Sequence, residues 1–325
     1  MENKKYVSII MQSLLLNKDK IFEIKKKVEE KDLSLYNHIE IPNIPIVDET
    51  ISIVMTACNR SIQTYFTLKT IQNSSFKNIH IILVDDSDED PIRKEELEKY
   101  PFYIDFIEIK IQNKEWINPV VNYNIGFQYL KGSKVIIQNA EVCHVGDVLA
   151  YMGIQISDNN YYVCDVRNTK SFCSNRLIYQ CNTNTIDIYN LRNVYRKWYQ
   201  SKTRMSNLHF LVGMTIETFN QIKRFSYDYT FGVDYDDNDF LLKIISKNIK
   251  IINLFHDEYL FGGIHLFHSS SYLKWVNIES NNNIYFKKNK LFSQLGEYID
   301  ITENIELFDK KYNIILNNNA DIKCE

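Results

Sequence analysis

Between residues 51 and 139, four apolar runs alternate with three segments of helical spacing, and this alternation constrains the fold more than anything else in the chain. "ISIVMTA", "HIILVDD", "IDFIEIKIQ" and "KVIIQNA" read as strands. "SIQTYFTLKTIQNS", "IRKEELEKY" and "PVVNYNIGFQYLKG" read as the helices between them. The first helix places Tyr65, Leu68 and Ile71 on one side; the third has Pro119 in its first turn and Gly132 as its stop. A strand, a crossover helix and a second strand in one sheet join with a right-handed turn, which leaves the strands parallel. The chain is therefore expected to form an α/β domain: a mainly parallel sheet covered by helices on both faces.

The flanks differ. Residues 4–31 carry apolar and charged residues at helical spacing, and "IPNIPIVDET" breaks that pattern with two prolines. Residues 1–49 are expected to be a helical extension and linker, 50–275 the main domain, and 276–325 a helical or irregular extension. Residues 151–210 are less regular, with a helix expected over 186–202; a clearer one covers 236–247, where Phe240, Leu241, Ile244 and Ile245 form an apolar stripe. The 38 basic and 41 acidic residues nearly cancel, so nucleic acid is not an expected partner. No run of 18 apolar residues exists and no membrane span is expected. "VSIIMQSLLL" lacks a small-residue cleavage site, and the six cysteines form no CxxC pair. Free thiols in a cytoplasmic, reducing compartment are the expectation. Oligomeric state is left open.

Three of the four strands end in polar clusters: Thr56 to Arg60, Asp85 to Asp90, and Asn139-Ala140-Glu141, with His144 and Asp147 close behind. In open α/β sheets, ligands bind beyond the carboxyl ends of the strands. Each cluster has a plainer reading alone: Asp85 and Asp86 as helix caps, "TACNR" as a turn, His144 as an ordinary histidine. Their common edge makes them a candidate site. No GxxxxGK[ST] or GxGxxG loop is present to cradle phosphates. A divalent cation on carboxylate and amide oxygens would be the substitute, with Glu141 and Asn139 as donors.

"ISIVMTACNR", "IILVDDSDED", "NPVVNYNIGFQYLKGSKVIIQNAEV" and "GVDYDDNDFLLKI" come in the order and at about the spacing of family 2 glycosyltransferases of the GT-A fold, a resemblance covering roughly residues 50–270. It implies a GT-A-type Rossmann-like domain that moves a sugar, with inversion, from a nucleotide-sugar to a glycan or other hydroxyl acceptor. UDP is the commonest donor nucleotide of the family, and Mn2+ or Mg2+ the implied cofactor. Thr56, Ala57, Asn59 and Arg60 match the first nucleotide-binding loop, Asp85 and Asp86 the acidic pair that contacts base and ribose. Asn122 and Asn124 resemble the segment facing nucleotide and sugar. Asn139-Ala140-Glu141 stands where the family carries Asp-x-Asp, so the first carboxylate is an amide here and the second is longer by a methylene. His265 and His268 resemble a late histidine that some members add to the metal shell. Asp236-Asp237 matches an acidic pair whose second member acts as base, which gives Asp237 that role and Asp236 second place. "HFLVGMTIETFNQI" falls on the acceptor side, where Gly213 would let the chain pass close to a sugar.

Other readings compete. The amide at Asn139 motivates a catalytically inactive GT-A domain that binds nucleotide-sugar or glycan in an assembly; a nucleotidyltransferase on a similar sheet is a third possibility. Asp234, Asp236 and Asn238 occupy positions 1, 3 and 5 of a calcium loop, but Asp239 replaces its glycine and Ile245 its final glutamate. His144, His265 and His268 could bind zinc. If "GGIHLFHSS" is extended, however, residues three apart face opposite ways and only one of the later pair is expected to reach the site. Trp198, Tyr199 and Trp275 are expected to serve packing rather than sugar stacking.

Overall fold

The computed structural model describes residues 17–181, 195–200, 208–254, 261–268 and 278–321. Residues 17–29 form helix α1, followed by strand β1 (Tyr36–Pro42), β2 (Ile51–Ala57), α2 (Ser61–Gln72), β3 (Ile79–Asp85), α3 (Lys94–Leu97), β4 (Tyr103–Ile109), α4 (Val120–Gly126) and β5 (Lys134–Asn139). Then come β6 (Val142–Val145), α5 (Val148–Gln155), β7 (Asn160–Cys164), β8 (Val166–Thr169), α6 (Phe172–Tyr179), β9 (Tyr195–Gln200), β10 (Leu211–Thr215) and α7 (Ile216–Ile222). The chain continues through α8 (Asp236–Ser246), β11 (Lys250–Leu254), β12 (Gly262–His265), α9 (Ile278–Leu295) and α10 (Ile305–Asp321).

The main sheet has eight strands in the order β1-β4-β3-β2-β5-β10-β7-β11. Its centre, β4-β3-β2-β5, is parallel as expected, while β1 and β10 run antiparallel to their neighbours. A smaller sheet, β6-β12-β8-β9, stands at its edge. The central strands are apolar throughout because they feed two cores. Ile53, Met55, Ile81 and Leu83 point to one face, under α2 and α5. Val54, Ile82 and Val84 point to the other, under α1, α4, α8, α9 and α10. This is the period-two alternation of a strand buried on both sides.

Several expectations shift. The helical reading of 4–31 holds for 17–29, with residues 1–16 outside the described part. The stretch taken as linker contains β1, an edge strand paired with β4 from Tyr36↔Ile109 to Pro42↔Tyr103. Its exposed or half-exposed Asn37, His38 and Glu40 hide the alternation, as polar residues on edge strands do. Residues 195–200 of the helix expected over 186–202 are strand β9, which pairs with β8; 182–194 and 201–207 lie outside the described residues. Its "YRKWYQ" is rich in aromatics that favour extended chain. Trp275 also lies outside the described residues. The helix at "IRKEELEKY" is a single turn. A Cβ on Gly213 would meet Met152 Cε at 2.5 Å and Ile156 Cδ1 at 2.7 Å. That glycine therefore admits α5 onto the sheet rather than a sugar. Among the described residues, no helix is long and apolar enough to cross a membrane.

Both flanking segments join the main core. Ile21, Ile24 and Val28 of α1 cluster with Ile284, Leu291, Phe308 and Ile315 of α9 and α10. Fully buried Lys288 ties α9 down: its Nζ lies 3.0 Å from Asp228, 2.9 Å from Asp239 and 3.1 Å from Asp300. Removing one member of such a buried ionic cluster strands the others. Lys288→Met is expected to lower the unfolding free energy, measured by urea denaturation, by about 3–5 kcal/mol. Lys287 is the contrast, since its buried ammonium has no hydrogen-bond partner. Lys287→Met is expected to leave stability within about 0.5 kcal/mol of wild type or to raise it.

Candidate active site

The carboxyl ends of β2, β3 and β5 open onto a cleft of about 1010 Å³. Of the residues singled out in the sequence, Thr56, Ala57, Asn59, Arg60, Asp86, Asn122, Asn139, Glu141, Asp236, Asp237, His265 and His268 line it. Asp85 and Asn124 do not. Asp85 accepts from Ser87 Oγ at 2.5 Å and from the Ile92 amide at 2.7 Å, shaping the loop that follows β3, and burial pushes its carboxyl up to about 6. Asn124 exchanges two bonds with the Phe225 backbone at 3.0 and 3.1 Å. Both are braces for the walls, the plainer of the roles open to such residues.

The loops that follow β2 and β3 brace each other. Asn59, at φ 55°, accepts from the amides of Glu89 and Asp90 and donates to Asp88 at 2.7 Å. The β2–α2 and β3–α3 loops are thereby tied together. Asp86 Oδ2 accepts from Lys114 Nζ at 2.5 Å and Asn122 Nδ2 at 2.8 Å, and Asn122 Oδ1 accepts from Trp116 Nε1 at 2.8 Å. Lys114 and Trp116 escaped the sequence reading because "NKEW" lies in a connection without periodicity. Only their proximity to Asp86 gives them meaning.

Glu141 occupies the tight turn between β5 in the large sheet and β6 in the small one, and its backbone carbonyl accepts from the Leu266 amide at 3.0 Å. Its side chain is 1% exposed. Oε1 accepts from Arg60 at 2.5 Å and faces His265 Nε2 at 3.2 Å and His268 Nε2 at 3.3 Å. Burial would raise this carboxyl. The Arg60 charge and the bonds from the two histidines outweigh it and hold it well below the usual carboxylate range. Both histidines reach Glu141 because β12 stops at His265, so strict alternation no longer applies by His268. That overturns the expectation of a single histidine. His144 is elsewhere: buried in β6, it bonds Gln138 Oε1 at 2.9 Å, and burial pushes it down to about 4. Asp147 caps α5 and binds Ser74. The zinc trio with His144 is therefore not assembled.

The ligand atoms of Glu141, His265 and His268 lie within 4.8 Å of one another. Among the described residues, buried Glu141 Oε2 has no hydrogen-bond partner. Two imidazole nitrogens and a carboxylate with an unused oxygen are a donor set that fits a divalent transition-metal ion such as Mn2+. Asn139 closes β5 beside them, its amide donating to the Phe210 carbonyl at 3.3 Å.

Asp236 and Asp237 open α8, preceded by two residues of positive φ, Asp234 at 64° and Tyr235 at 67°. Such backbone is costly for non-glycine residues and clusters at functional sites. Asn118 donates to Asp236 at 3.2 Å, and the Asn238 amide donates to Asp237 at 2.7 Å. Burial and the neighbouring Asp237 raise Asp236 to about 7; burial, with a lesser push from Asp234, raises Asp237 to about 6. His209 also lines the cleft, ringed by Tyr123, Phe225 and Phe240, and burial pushes it down to about 3.

Comparison with known proteins identifies the family and the fold. The family model described as Glycosyl transferase family 2 matches residues 52–231, more than half of the chain. No curated protein matches. Among solved structures, S. aureus TarS 1-349 in complex with UDP-GlcNAc superposes with a TM-score of 0.52 at 10% identity, over 75% of this chain and 66% of that one. The mannosyltransferase PcManGT from Pyrobaculum calidifontis, in complex with GDP-Man and Mn2+, gives 0.46 at 12% identity, over 90% and 75%. The chain spans 59% and 46% of the length of two other TarS chains it matches.

The acidic pair predicts a pH signature. In the unfolded chain both carboxyls should titrate near 4; folded, they hold protons to about 7 and about 6. Between those limits the folded state binds more protons, so the pair's contribution to stability falls as pH rises. Asp236→Asn should therefore raise the melting temperature relative to wild type by more at about pH 7.5 than at about pH 5. A difference independent of pH would show the pair to be ordinary ionised acids.

Proposed function

The chain belongs to glycosyl transferase family 2, and from that premise we propose that it is an inverting hexosyltransferase moving a sugar from a nucleotide-sugar to a glycan or other hydroxyl acceptor. UDP-sugars are the donors to test first. One observation carries the reading: a single cleft holds three potential cation donors, Glu141, His265 and His268, together with two carboxyls that burial raises to about 7 and about 6, Asp236 and Asp237.

The division of labour follows from the environments. Asp86, held by Lys114 and Asn122, offers a fixed carboxylate to the nucleotide, and the Asn59-braced loops shape the cavity around it. Glu141, His265 and His268 would hold a divalent cation, which would supply positive charge to a departing diphosphate. Asp237 takes the proton of the acceptor hydroxyl as its oxygen forms the new bond to the anomeric carbon. The old anomeric C–O bond breaks, and its electron pair leaves on the diphosphate. A carboxylate raised to about 6 is ionised at neutral pH yet more basic than a solvated one, which suits a general base. Asp236 keeps its proton longer and, held by Asn118, flanks the base.

The test is nucleoside-diphosphate release from a panel of nucleotide-sugars with Mn2+. Asp237→Asn should lower kcat by about 10²–10⁴-fold while nucleotide binding persists. The wild-type rate should rise with pH and level off above about 7, as the coupled pair loses its protons. Nucleotide binding without turnover of any donor would instead mark a binding domain, and pyrophosphate release a nucleotidyltransferase.

A further inference from the structure

Glu141 is the sole carboxylate of the trio, and Asn139 beside it adds no charge. The same oxygen that both imidazoles face, Oε1, already accepts from the Arg60 guanidinium at 2.5 Å. A divalent cation on Glu141 would thus meet a fixed positive charge at bonding distance, in surroundings where Glu141 is 1% and His265 7% exposed and screening is weak. Whether the cation binds through Oε1 or through the unused Oε2, the two positive charges would press on one buried carboxylate and oppose each other. Arg60 has somewhere to go. It is the residue immediately before the 12-residue helix α2, its side chain makes no cap bond there, and it is 19% exposed in the cleft. A diphosphate entering the cleft would offer paired oxygens that the guanidinium fork can bind at two points.

We propose that Arg60 is an exchangeable counter-ion: it neutralises Glu141 in the nucleotide-free protein and passes to the donor diphosphate when a divalent cation takes its place, so that cation and nucleotide bind interdependently. This rests on the glycosyltransferase reading of the cleft. It explains how a shell with one carboxylate tolerates that charge buried when no cation is bound. It also makes Arg60 a determinant of how strongly the two ligands are coupled, since the guanidinium weakens metal binding to the empty site until a diphosphate draws it away.

The experiment is Mn2+ titration of the full chain, followed by electron paramagnetic resonance, with and without UDP. In the wild type, UDP should tighten Mn2+ binding by roughly 5–150-fold, the ordinary range of coupling between sites. Arg60→Gln should tighten Mn2+ binding to the nucleotide-free protein by about tenfold, through loss of the competing charge, and reduce the coupling toward one. Arg60→Lys keeps the charge without the fork and should fall between the two; it serves if the glutamine variant does not fold. Glu141→Gln should abolish Mn2+ binding in every background. Unchanged or weaker Mn2+ binding by nucleotide-free Arg60→Gln overturns the exchange, as does wild-type Mn2+ binding that UDP does not alter. If the wild type binds no nucleoside diphosphate with or without Mn2+, the glycosyltransferase reading itself falls, whereas the nucleotide-free titrations still judge the competition at Glu141.

Discussion

A carboxylate removed from water at the seam between two sheets is the constraint on which the site depends. Glu141 cannot sit there ionised unless positive charge comes to it, because burying a lone carboxylate costs several kcal/mol even after relaxation. Arg60 from the β2–α2 loop and two histidines from the end of β12 converge on it from different parts of the chain. The same convergence gathers imidazole and carboxylate donors around one oxygen. The contacts that satisfy the charge are therefore the same ones that gather a candidate cation site.

The two acids at the start of α8 are treated in the opposite way. They are the same kind of group as Glu141, yet burial, with a push from Asp237 on Asp236 and from Asp234 on Asp237, lifts them to about 7 and about 6, whereas Arg60 and the histidines depress Glu141. Environment thus separates carboxyls of one cleft into a permanent anion and a proton-exchanging pair. That separation is what acid–base assignments rest on.

Two further buried charge clusters hold the frame around the cleft. On the edge side, Asp105 of β4 accepts from His80 at 2.8 Å, from His38 of β1 at 2.7 Å, and from Lys131. The added strand β1 is thereby fastened to the sheet by side chains as well as by its ladder. On the helical side, Lys288 joins α9 to Asp239 of α8 and to Asp228. Asp239 lies in the same helical turn as the acidic pair, so α9 is anchored to the start of α8. Segments that read as appendages are parts of the core beside the cleft.

The sequence by itself determined the central sheet, because strands buried on both faces must be continuously apolar and the helices between them carry their own stops. It determined the rim as well: Asp86, Glu141 and the Asp236–Asp237 pair stand where a strand or a helix begins or ends, positions that local pattern marks. Tertiary structure alone decided what each polar residue does there. Asp85 and Asp86 are adjacent and chemically identical, but the strand's alternation turns one into a loop brace and the other into the cleft. His144 and His265 are both strand histidines, yet only the pairing of β12 with β6 sends one toward Glu141 and the other toward Gln138. The edge strand β1, the strand β9, the partner Lys114 and the pairing of Arg60 with Glu141 were hidden for the same reason. Their roles come from neighbours far away in the chain, and no periodicity records those.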